Sequence, residues 1–339
     1  MAELSLANLS CRSVFDGAQP VVFADRSQVS VGRSSVKVCR VRDVLYVPDL
    51  RIQVVGQTLV PAESIQEPST LGFEQGRNFQ GRADHYRDPF PTLSSDVDVC
   101  ILSNFYSRNF YHWLTEELMK VTVLEASGFR GPYLLTGLPS FAVEFMLLMG
   151  VDRARLIETL EGPTVFRSAL YTEIMCGTNI TAYGSVFFAL RERLLGSTGR
   201  AEGPRRIWMD RRLGVNNPGR GLVNVEEVYS LLARYGFEVM DMAAFPVARQ
   251  VAIAAGASAL SGSHGAGFAH VAFMPPRSAV IECFSPLFIN PGIYGLCHLM
   301  EHRYSMVVHD NAYAGYPHGK GLMVNCELLE LMLKKLGSE

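Results

Sequence analysis

A run of small residues around one histidine is the part of this sequence best suited to chemistry. Residues 259–270 read ALSGSHGAGFAH, which predicts a strand, a tight turn and then a helix. Gly262, Gly265 and Gly267 allow a sharp turn and a close approach of the backbone to a ligand. The first N–H groups of the helix lack partners within it and attract anions. With His264 inside the turn, the expected ligand is a phosphate or diphosphate, although a purely structural turn accounts for the glycines equally well.

A carboxylate lies one strand further along the chain. Glu282 is near the end of a predicted strand at 279–283, a position from which dinucleotide-binding folds bind both hydroxyls of a ribose. The loop around His264 is not a Walker A loop, because no Gly-Lys-Ser/Thr follows it. It is not a nucleophile elbow either, because no serine stands between glycines at the required spacing.

A second polar group lies on a predicted helix at 109–127. Asn109, His112 and Glu116 share one face, opposite an apolar stripe. Because His112 and Glu116 are four residues apart, their side chains are neighbours, and a carboxylate beside an imidazole suits a general base for a hydroxyl. The alternative is an ordinary His–Glu pair on a solvated face. Glu117 falls inside the stripe, either as a buried acid with a partner or as a rival base.

Arginines cluster around a predicted strand at 206–209. Guanidinium groups bind phosphate oxygens in a bidentate manner. Arg211 and Arg212 follow the carboxyl end of the strand, the side on which ligands bind in open α/β sheets, so we expect one of them to bind the ligand. The alternative is a basic surface turn without a ligand. The complete set is Arg205, Arg206, Arg211, Arg212 and Arg220.

Two short patterns resemble metal sites. Asp96 and Asp98 form a D-x-D pattern, which arises often by chance and here leads into a strand. His298, Glu301 and His302 form an H-x-x-E-H pattern, but a zinc site needs a further protein ligand, and few candidates follow. We therefore expect no metal at either pattern.

The composition is that of a folded globular protein. The chain has 339 residues, of which 48% are hydrophobic and 19% charged, and its formal net charge is −2. This charge gives no reason to expect a nucleic-acid partner. No segment predicts a membrane span or a signal peptide, so we expect a cytoplasmic protein with at most peripheral membrane association. Seven dispersed cysteines fit a reducing compartment, mostly as core residues.

The predicted elements fall into three stretches. Residues 1–95 predict strands and loops, with an irregular connection at 73–91. Strands at 97–102, 133–136 and 155–159 then alternate with helices at 109–127, 141–150 and 186–195. After a hydrophilic linker at 196–204, strands at 206–209, 237–240, 257–261 and 279–283 alternate with helices at 225–235, 247–255 and 267–273. Asn224 is the expected N-cap of the helix at 225–235, and Gly236 its end; a last helix covers 327–336.

Strands that alternate with helices in this way predict α/β domains with parallel sheets. The predicted domains are residues 1–196, including the strand-rich segment 1–95, and residues 205–320, followed by a terminal helix within 321–339. Two such domains joined by a short linker form a cleft, with ligands beyond the carboxyl ends of the strands.

The sequence resembles the glycosyltransferase 61 family, also described as capsular polysaccharide biosynthesis proteins. Five motifs in order carry the resemblance, over about residues 100–285. They are NFYHWLTE at 109–116, WMDRR at 208–212, NVEE at 224–227, SHGAG at 263–267 and VIE at 280–282.

The resemblance implies a GT-B architecture of two Rossmann-like domains, an inverting mechanism, a UDP-sugar donor and no required metal or cofactor. It selects Glu116 over Glu117 as the base, oriented by His112, with Asn109 nearby. It implies that Arg211, with Arg212 beside it, binds the diphosphate and that Glu282 contacts the ribose. The loop that would surround the phosphates comprises Ser263, His264, Gly265, Ala266 and Gly267.

The expected reaction moves a hexose or pentose from a UDP-sugar to a hydroxyl of a glycan or lipid-linked glycan, in surface or capsular polysaccharide synthesis. The sugar, the acceptor, the linkage, the oligomeric state and the role of residues 1–95 stay open. The alternative is a non-catalytic component of an assembly complex that binds a sugar nucleotide or a polysaccharide. Such a protein would need no base at position 116.

Overall fold

The computed structural model describes residues 25–49, 51–55, 58–59, 92–93, 98–104, 106–173, 175–177, 179–210, 222–286, 289–309 and 322–337. The chain divides into two compact units, of which unit 1 comprises residues 1–176 and 185–189 and unit 2 comprises residues 177–184 and 190–339. Both contain strands and helices, so the predicted α/β class is confirmed. The predicted connection at 73–91 lies outside the described residues, and the domain boundaries at 196, 205 and 321 stay predictions.

The strands are numbered along the chain. They are β1 (Asp25–Val31), β2 (Ser34–Val47), β3 (Ile52–Val55), β4 (Thr58–Leu59), β5 (Thr92–Leu93), β6 (Cys100–Ile101), β7 (Tyr133–Leu134), β8 (Leu156–Ile157), β9 (Thr164–Thr172), β10 (Arg206–Met209), β11 (Glu238–Met240), β12 (Ala259–Ser263), β13 (Ala279–Phe284) and β14 (Arg303–Val308).

The α-helices are α1 (Phe110–His112), α2 (Leu118–Ala126), α3 (Ser140–Leu148), α4 (Gly184–Ser197), α5 (Val225–Arg234), α6 (Val247–Gly256), α7 (Gly292–Leu299) and α8 (Cys326–Gly337). A π-helical turn, Trp113–Glu117, joins α1 to α2. The described residues also include the 3-10 helices Arg153–Arg155, Ile180–Tyr183, Met242–Ala244 and Ala266–Phe273.

Unit 1 contains a largely antiparallel sheet and a short parallel sheet. The first has the order β4-β3-β2-β9-β5, with β1 also paired to β2, and it confirms the strands expected before residue 60. Its long strand β9 was not predicted. The second sheet has the order β6-β7-β8, and its parallel pairing matches the predicted alternation after residue 97. Buried side chains of β2, β6, β7 and β9, such as Val41, Ile101, Leu134 and Ala169, form one core.

The run from α1 through the π-helical turn to α2 confirms the predicted helix at 109–127. The side chain of Asn109 caps it, since its Oδ1 accepts the N–H of Tyr111 at 2.9 Å and that of His112 at 3.4 Å. Every residue from Trp113 to Leu124 is buried. The alternative of a solvated face is therefore wrong from Trp113 to Leu124, where every side chain is enclosed.

Unit 2 contains a parallel sheet of five strands in the order β11-β10-β12-β13-β14. Its strands and helices between residues 206 and 273 occur where they were predicted, within two residues at each end, but the helix after β12 is a 3-10 helix. The last helix packs into the same core as α5, through Leu329 and Leu333 against Val228 and Leu232. Residues 298–302, which carry the H-x-x-E-H pattern, are the end of α7 and the turn into β14.

The sequence predicted Asn224 as the N-cap of α5, but its side chain does not cap the helix. The residue stands at the N-cap position without a capping hydrogen bond. Its Nδ2 donates to the carbonyl of Val324 at 2.8 Å, and its Oδ1 accepts the N–H of Val324 at 3.0 Å. Asn224 therefore binds the strand-like segment before α8, whereas Gly236 ends the helix as predicted, with φ at +69°.

Two further findings concern the cysteines and the possibility of membrane-spanning helices. Cys39, Cys100, Cys283 and Cys297 are buried, which confirms the expected core role for these four. Across the described part of the chain, no helix has both the length and the apolar character needed to cross a membrane.

We expect Gly262→Ala to destabilise unit 2. Gly262 lies in β12 with φ at +154°, and an added Cβ would lie 2.7 Å from the carbonyl oxygen of Met209 on β10. Backbone strain of this kind costs about 2 kcal/mol, which denaturant unfolding would measure. Gly267→Ala is the matched control, because its Cβ would meet the Sδ of Met209 at 3.7 Å, an ordinary contact. Equal stability of the two variants would contradict the conclusion that a side chain at position 262 cannot be accommodated next to β10.

Candidate functional site

The carboxylate of Glu116 lies in the π-helical turn Trp113–Glu117. π-helical turns are rare and occur frequently at functional sites, because the extra residue redirects the side chains around it. The Nδ1 of His112 lies 2.6 Å from the Oε1 of Glu116. This confirms that the two side chains are neighbours, as their spacing predicted.

The imidazole of His112 is the more accessible member of this pair. Its side chain is 25% exposed, whereas that of Glu116 is 9% exposed. The ring is flanked by Tyr106 and Tyr111, whose ring centroids lie 5.1 and 5.4 Å from its own. An ionised carboxylate only accepts hydrogen bonds, so the contact places a proton on Nδ1 and leaves Nε2 as the second functional atom of the ring.

Glu117 is a buried acid with partners, one of the two interpretations that the sequence allowed. Its Oε2 accepts from the Nζ of Lys120 at 3.0 Å, and its Oε1 accepts from the Nδ2 of Asn104. The Oδ1 of Asn104 in turn accepts the N–H groups of Tyr106 and Ser107, at 2.9 and 3.1 Å. Glu117 thus anchors the loop after β6 that carries Tyr106 against His112.

The loop around His264 lies at the carboxyl end of β12, which pairs with β10 and β13. Ser263 is the last residue of the strand, and the 3-10 helix begins at Ala266. The N–H of His264 donates to the carbonyl of Cys283 at 2.9 Å, and that of Phe268 to the carbonyl of Gly265 at 2.9 Å. The predicted strand, turn and helix are therefore all present, with a helix of the tighter 3-10 type.

Two side chains from the neighbouring strands β13 and β14 form a chain of hydrogen bonds with His264 of this loop. The Nδ1 of His264 lies 2.6 Å from the Oε1 of Glu282 on β13, and the hydroxyl of Tyr304 on β14 donates to the Oε2 of Glu282 at 2.7 Å. The ring of His264 stacks on Phe284, with centroids 4.6 Å apart and planes inclined by 23°. We refer to His264, Glu282 and Tyr304 as the loop triad.

The position of Glu282 differs from the one expected of a residue that contacts a ribose. Its side chain is fully buried, and each of its two oxygens already has a partner within the triad. Because the carboxylate is fully buried, a bound ribose could reach it only if the groups that cover it moved. The structure therefore favours a role for Glu282 inside the protein. Tyr304 itself was missed, because its strand was not predicted.

The second histidine of the motif, His270, is fully buried. Its Nδ1 lies 2.6 Å from the carbonyl of Gly267, and its Nε2 lies 2.8 Å from the Oε1 of Gln250. Burial lowers the pKa of His270 to about 4, against a smaller opposing effect of the Gly267 hydrogen bond. The ring is therefore neutral near pH 7 and supports the loop from within.

The arginines of the cluster around β10 divide into two groups, and the two expected at the ligand, Arg211 and Arg212, both fall into the first. Arg211, Arg212 and Arg220 lie outside the described residues. Arg206, at the amino end of β10, donates to the carbonyl of Tyr235 at 2.7 Å. A cationic donor at the end of α5 stabilises the terminal carbonyl groups of the helix, so Arg206 has a structural partner.

Of the two metal-like patterns, Asp96 lies outside the described residues, whereas Asp98, Glu301 and His302 have protein partners. Asp98 accepts two hydrogen bonds from Arg40, each at 2.8 Å; although burial raises its pKa, Arg40 and Ser168 lower the pKa overall. The Nε2 of His302 lies 2.9 Å from the carbonyl of Val271, and Glu301 pairs with Arg277 at 3.0 Å. Among the described residues, no three His, Cys, Asp or Glu side chains are grouped to hold an ion.

Comparison with protein families identifies the chain. The model of the glycosyltransferase 61 family matches residues 110–281, about half of the sequence. The chain belongs to this family. Membership indicates that the protein is a glycosyltransferase. The match includes the His112–Glu116 pair and the loop at 263–267, and it ends one residue before Glu282. A comparison with curated proteins gives no match.

We expect Glu117→Gln to lower stability much more than Glu116→Gln. Removing the charge of Glu117 breaks its buried ion pair with Lys120, and the loss of one charge from a buried pair typically costs about 3 kcal/mol. Denaturant unfolding of the two variants would measure the difference. The adjacent position serves as the matched control, since the partner of Glu116 is an imidazole that can be neutral. Similar losses at the two positions would contradict the structural role of Glu117.

Proposed function

We propose that this glycosyltransferase is inverting and metal-independent. It moves a hexosyl or pentosyl group from a UDP-sugar to a hydroxyl of a glycan or lipid-linked glycan acceptor, in surface or capsular polysaccharide synthesis. The observation that carries the proposal is the contact between His112 and Glu116, a base of the kind that activates a hydroxyl. It occurs in a protein of a glycosyltransferase family that also carries a glycine-rich loop with a fixed histidine.

The proposed reaction is a single displacement. The acceptor oxygen forms a bond to the anomeric carbon as the bond from that carbon to the diphosphate oxygen breaks. The electron pair of the broken bond leaves with UDP, and the proton of the acceptor hydroxyl passes to the His112–Glu116 pair. Attack from the face opposite UDP inverts the anomeric configuration.

Within the pair, we assign the contact with the acceptor hydroxyl to His112. The sequence alone favoured Glu116 as the direct base, but its carboxylate is the more buried group and already accepts from Nδ1. A carboxylate in this position orients the imidazole and stabilises its charged form after proton transfer, as in other acid–base dyads. The Nε2 of His112 then receives the proton, and Glu116 acts through the ring.

On the donor side, the proposal assigns the loop at 263–267 and Arg211 to the diphosphate. Negative charge develops on the leaving diphosphate in the transition state, and fixed donors directed at it lower the barrier, each by about 2.7–4 kcal/mol where measured. The donors assigned to this role are the His264 side chain, the N–H groups of Gly265, Ala266 and Gly267, and the guanidinium of Arg211, with Arg212 as the second candidate. Since the base and these donors must act at one anomeric carbon, the proposal includes a GT-B arrangement of two domains.

We expect Glu116→Gln and His112→Asn each to lower kcat about 10²–10⁴-fold, the usual contribution of a general base. Because the two residues act as a unit, the kcat of the double variant should be about as low as that of the less active single variant. The two fold-decreases in kcat should not multiply. UDP release from a panel of UDP-sugars, with and without candidate glycan acceptors, is the assay.

Tyr111→Phe is a control for this experiment, since it keeps the ring that lies beside His112 and removes only the hydroxyl group. Multiplicative losses in the double variant would show that His112 and Glu116 act separately. UDP binding without turnover in the wild type, under all donors and acceptors, would favour the non-catalytic alternative.

We expect Arg211→Ala to weaken UDP binding by about 10–100-fold, the value of one hydrogen bond to a charged group. Arg205→Ala is the matched control, because Arg205 precedes β10 at its opposite end and is exposed. Titration calorimetry with UDP measures both. Equal affinities of the two variants would contradict the assignment of Arg211 to the diphosphate.

A further inference from the structure

We propose that Glu282 and Tyr304 are positioning residues that hold His264 in one ring orientation and one proton arrangement for the donor diphosphate. This inference rests on the proposed function and deepens it. It assigns the carboxylate of Glu282 to the imidazole of His264 instead of to the ribose of the donor.

The geometry fixes the proton on one nitrogen of His264. Burial, followed by the charge of Glu282, raises the pKa of the Tyr304 phenol, so its hydroxyl stays protonated and donates to Glu282. The carboxylate, which only accepts when ionised, can then meet the imidazole only as an acceptor, so Nδ1 of His264 carries a proton. A hydrogen bond at one ring nitrogen determines the role of the other, and Nε2 is the atom assigned to the diphosphate. It donates to a phosphate oxygen when it carries a second proton, the form of the ring that an anionic ligand favours.

The plane of the ring is fixed by a separate contact. Phe284 stacks on His264 at a centroid distance of 4.6 Å, and the N–H of His264 is held by the carbonyl of Cys283. Backbone, ring face and ring edge are therefore each held by residues of β13. A donor that is already oriented needs no reorganisation when charge develops on the ligand, which is the condition for efficient electrostatic stabilisation.

The triad also connects three neighbouring strands, since His264 follows β12, Glu282 lies on β13 and Tyr304 on β14. A purely structural connection would stabilise the sheet without any relation to ligand binding. The two roles differ in one respect. If Tyr304 acts on the ligand through His264, its hydroxyl matters for the ligand only while His264 is present.

A double-mutant cycle tests this dependence. The affinity for UDP is measured by calorimetry in the wild type, Tyr304→Phe, His264→Ala and the double variant. We expect Tyr304→Phe to weaken UDP binding about fivefold in the wild-type background, the typical value of one hydrogen bond, and to have no effect once His264 is alanine. Tyr235→Phe is the matched control, because it removes another Tyr–Glu hydrogen bond of unit 2, to Glu330 at 3.0 Å. It should leave the affinity unchanged.

A spectroscopic measurement without ligand makes the test independent of the proposed function. Long-range ¹H–¹⁵N spectra report which ring nitrogen carries the proton, and His264→Asn identifies the signals of His264. We expect a protonated Nδ1 in the wild type and a mixture of tautomers in Glu282→Ala, with unfolding curves to confirm that the variant is folded.

The outcomes separate the two hypotheses. Equal weakening of UDP binding by Tyr304→Phe in both backgrounds, or a wild-type His264 with its proton on Nε2 alone, would overturn the positioning role. A wild type that binds no UDP would overturn the proposed UDP-sugar donor. If the same protein carries the proton of His264 on Nδ1, the orientation of the ring by Glu282 and Tyr304 is still supported.

Discussion

One interaction recurs at the two places where this protein has its candidate chemistry, a hydrogen bond between an imidazole and a more buried carboxylate. The Nδ1 and Oε1 atoms are 2.6 Å apart both in His112–Glu116 and in His264–Glu282. Burying a carboxylate is costly unless it is hydrogen-bonded, so each carboxylate needs its histidine. Each histidine in turn takes its orientation from the carboxylate. Within each unit, the surrounding elements bring the two members of its pair together.

The fold achieves this in two ways that differ in how far the sequence predicts them. His112 and Glu116 are joined by helical spacing, and four residues along a helix suffice to predict the contact. His264 and Glu282 are joined across parallel strands, where the contact depends on register. Ser263 pairs with Cys283 and Gly262 with Glu282, and this register brings Glu282 beneath the loop. The sequence placed Glu282 correctly on its strand. It did not show that the side chain points to His264 and Tyr304, because the partner strand β14 was not predicted.

The helix of unit 1 illustrates a second limit of the sequence. A helical wheel correctly placed Glu117 among apolar residues and allowed for a buried acid with a partner. It did not predict that Glu116 would be buried as well, nor the π-helical turn that contains both. Burial on all sides depends on the packing of other elements around the helix, and the register of a π-helical turn depends on those same contacts. Neither is encoded in the local spacing of apolar residues.

In the proposed reaction, the two imidazole–carboxylate pairs have opposite roles. One accepts a proton and the other donates a hydrogen bond, and the charge of the bound ligand determines the role of each. A neutral acceptor hydroxyl offers a proton, so a neutral His112 can take it on Nε2 while Glu116 stabilises the charge that results. A diphosphate is anionic and favours the charged form of a nearby imidazole, so His264 can donate from Nε2 while Glu282 holds Nδ1. The carboxylate favours positive charge on the ring in both cases. At the acceptor this charge appears during the reaction, whereas at the donor the bound diphosphate favours it before the reaction begins.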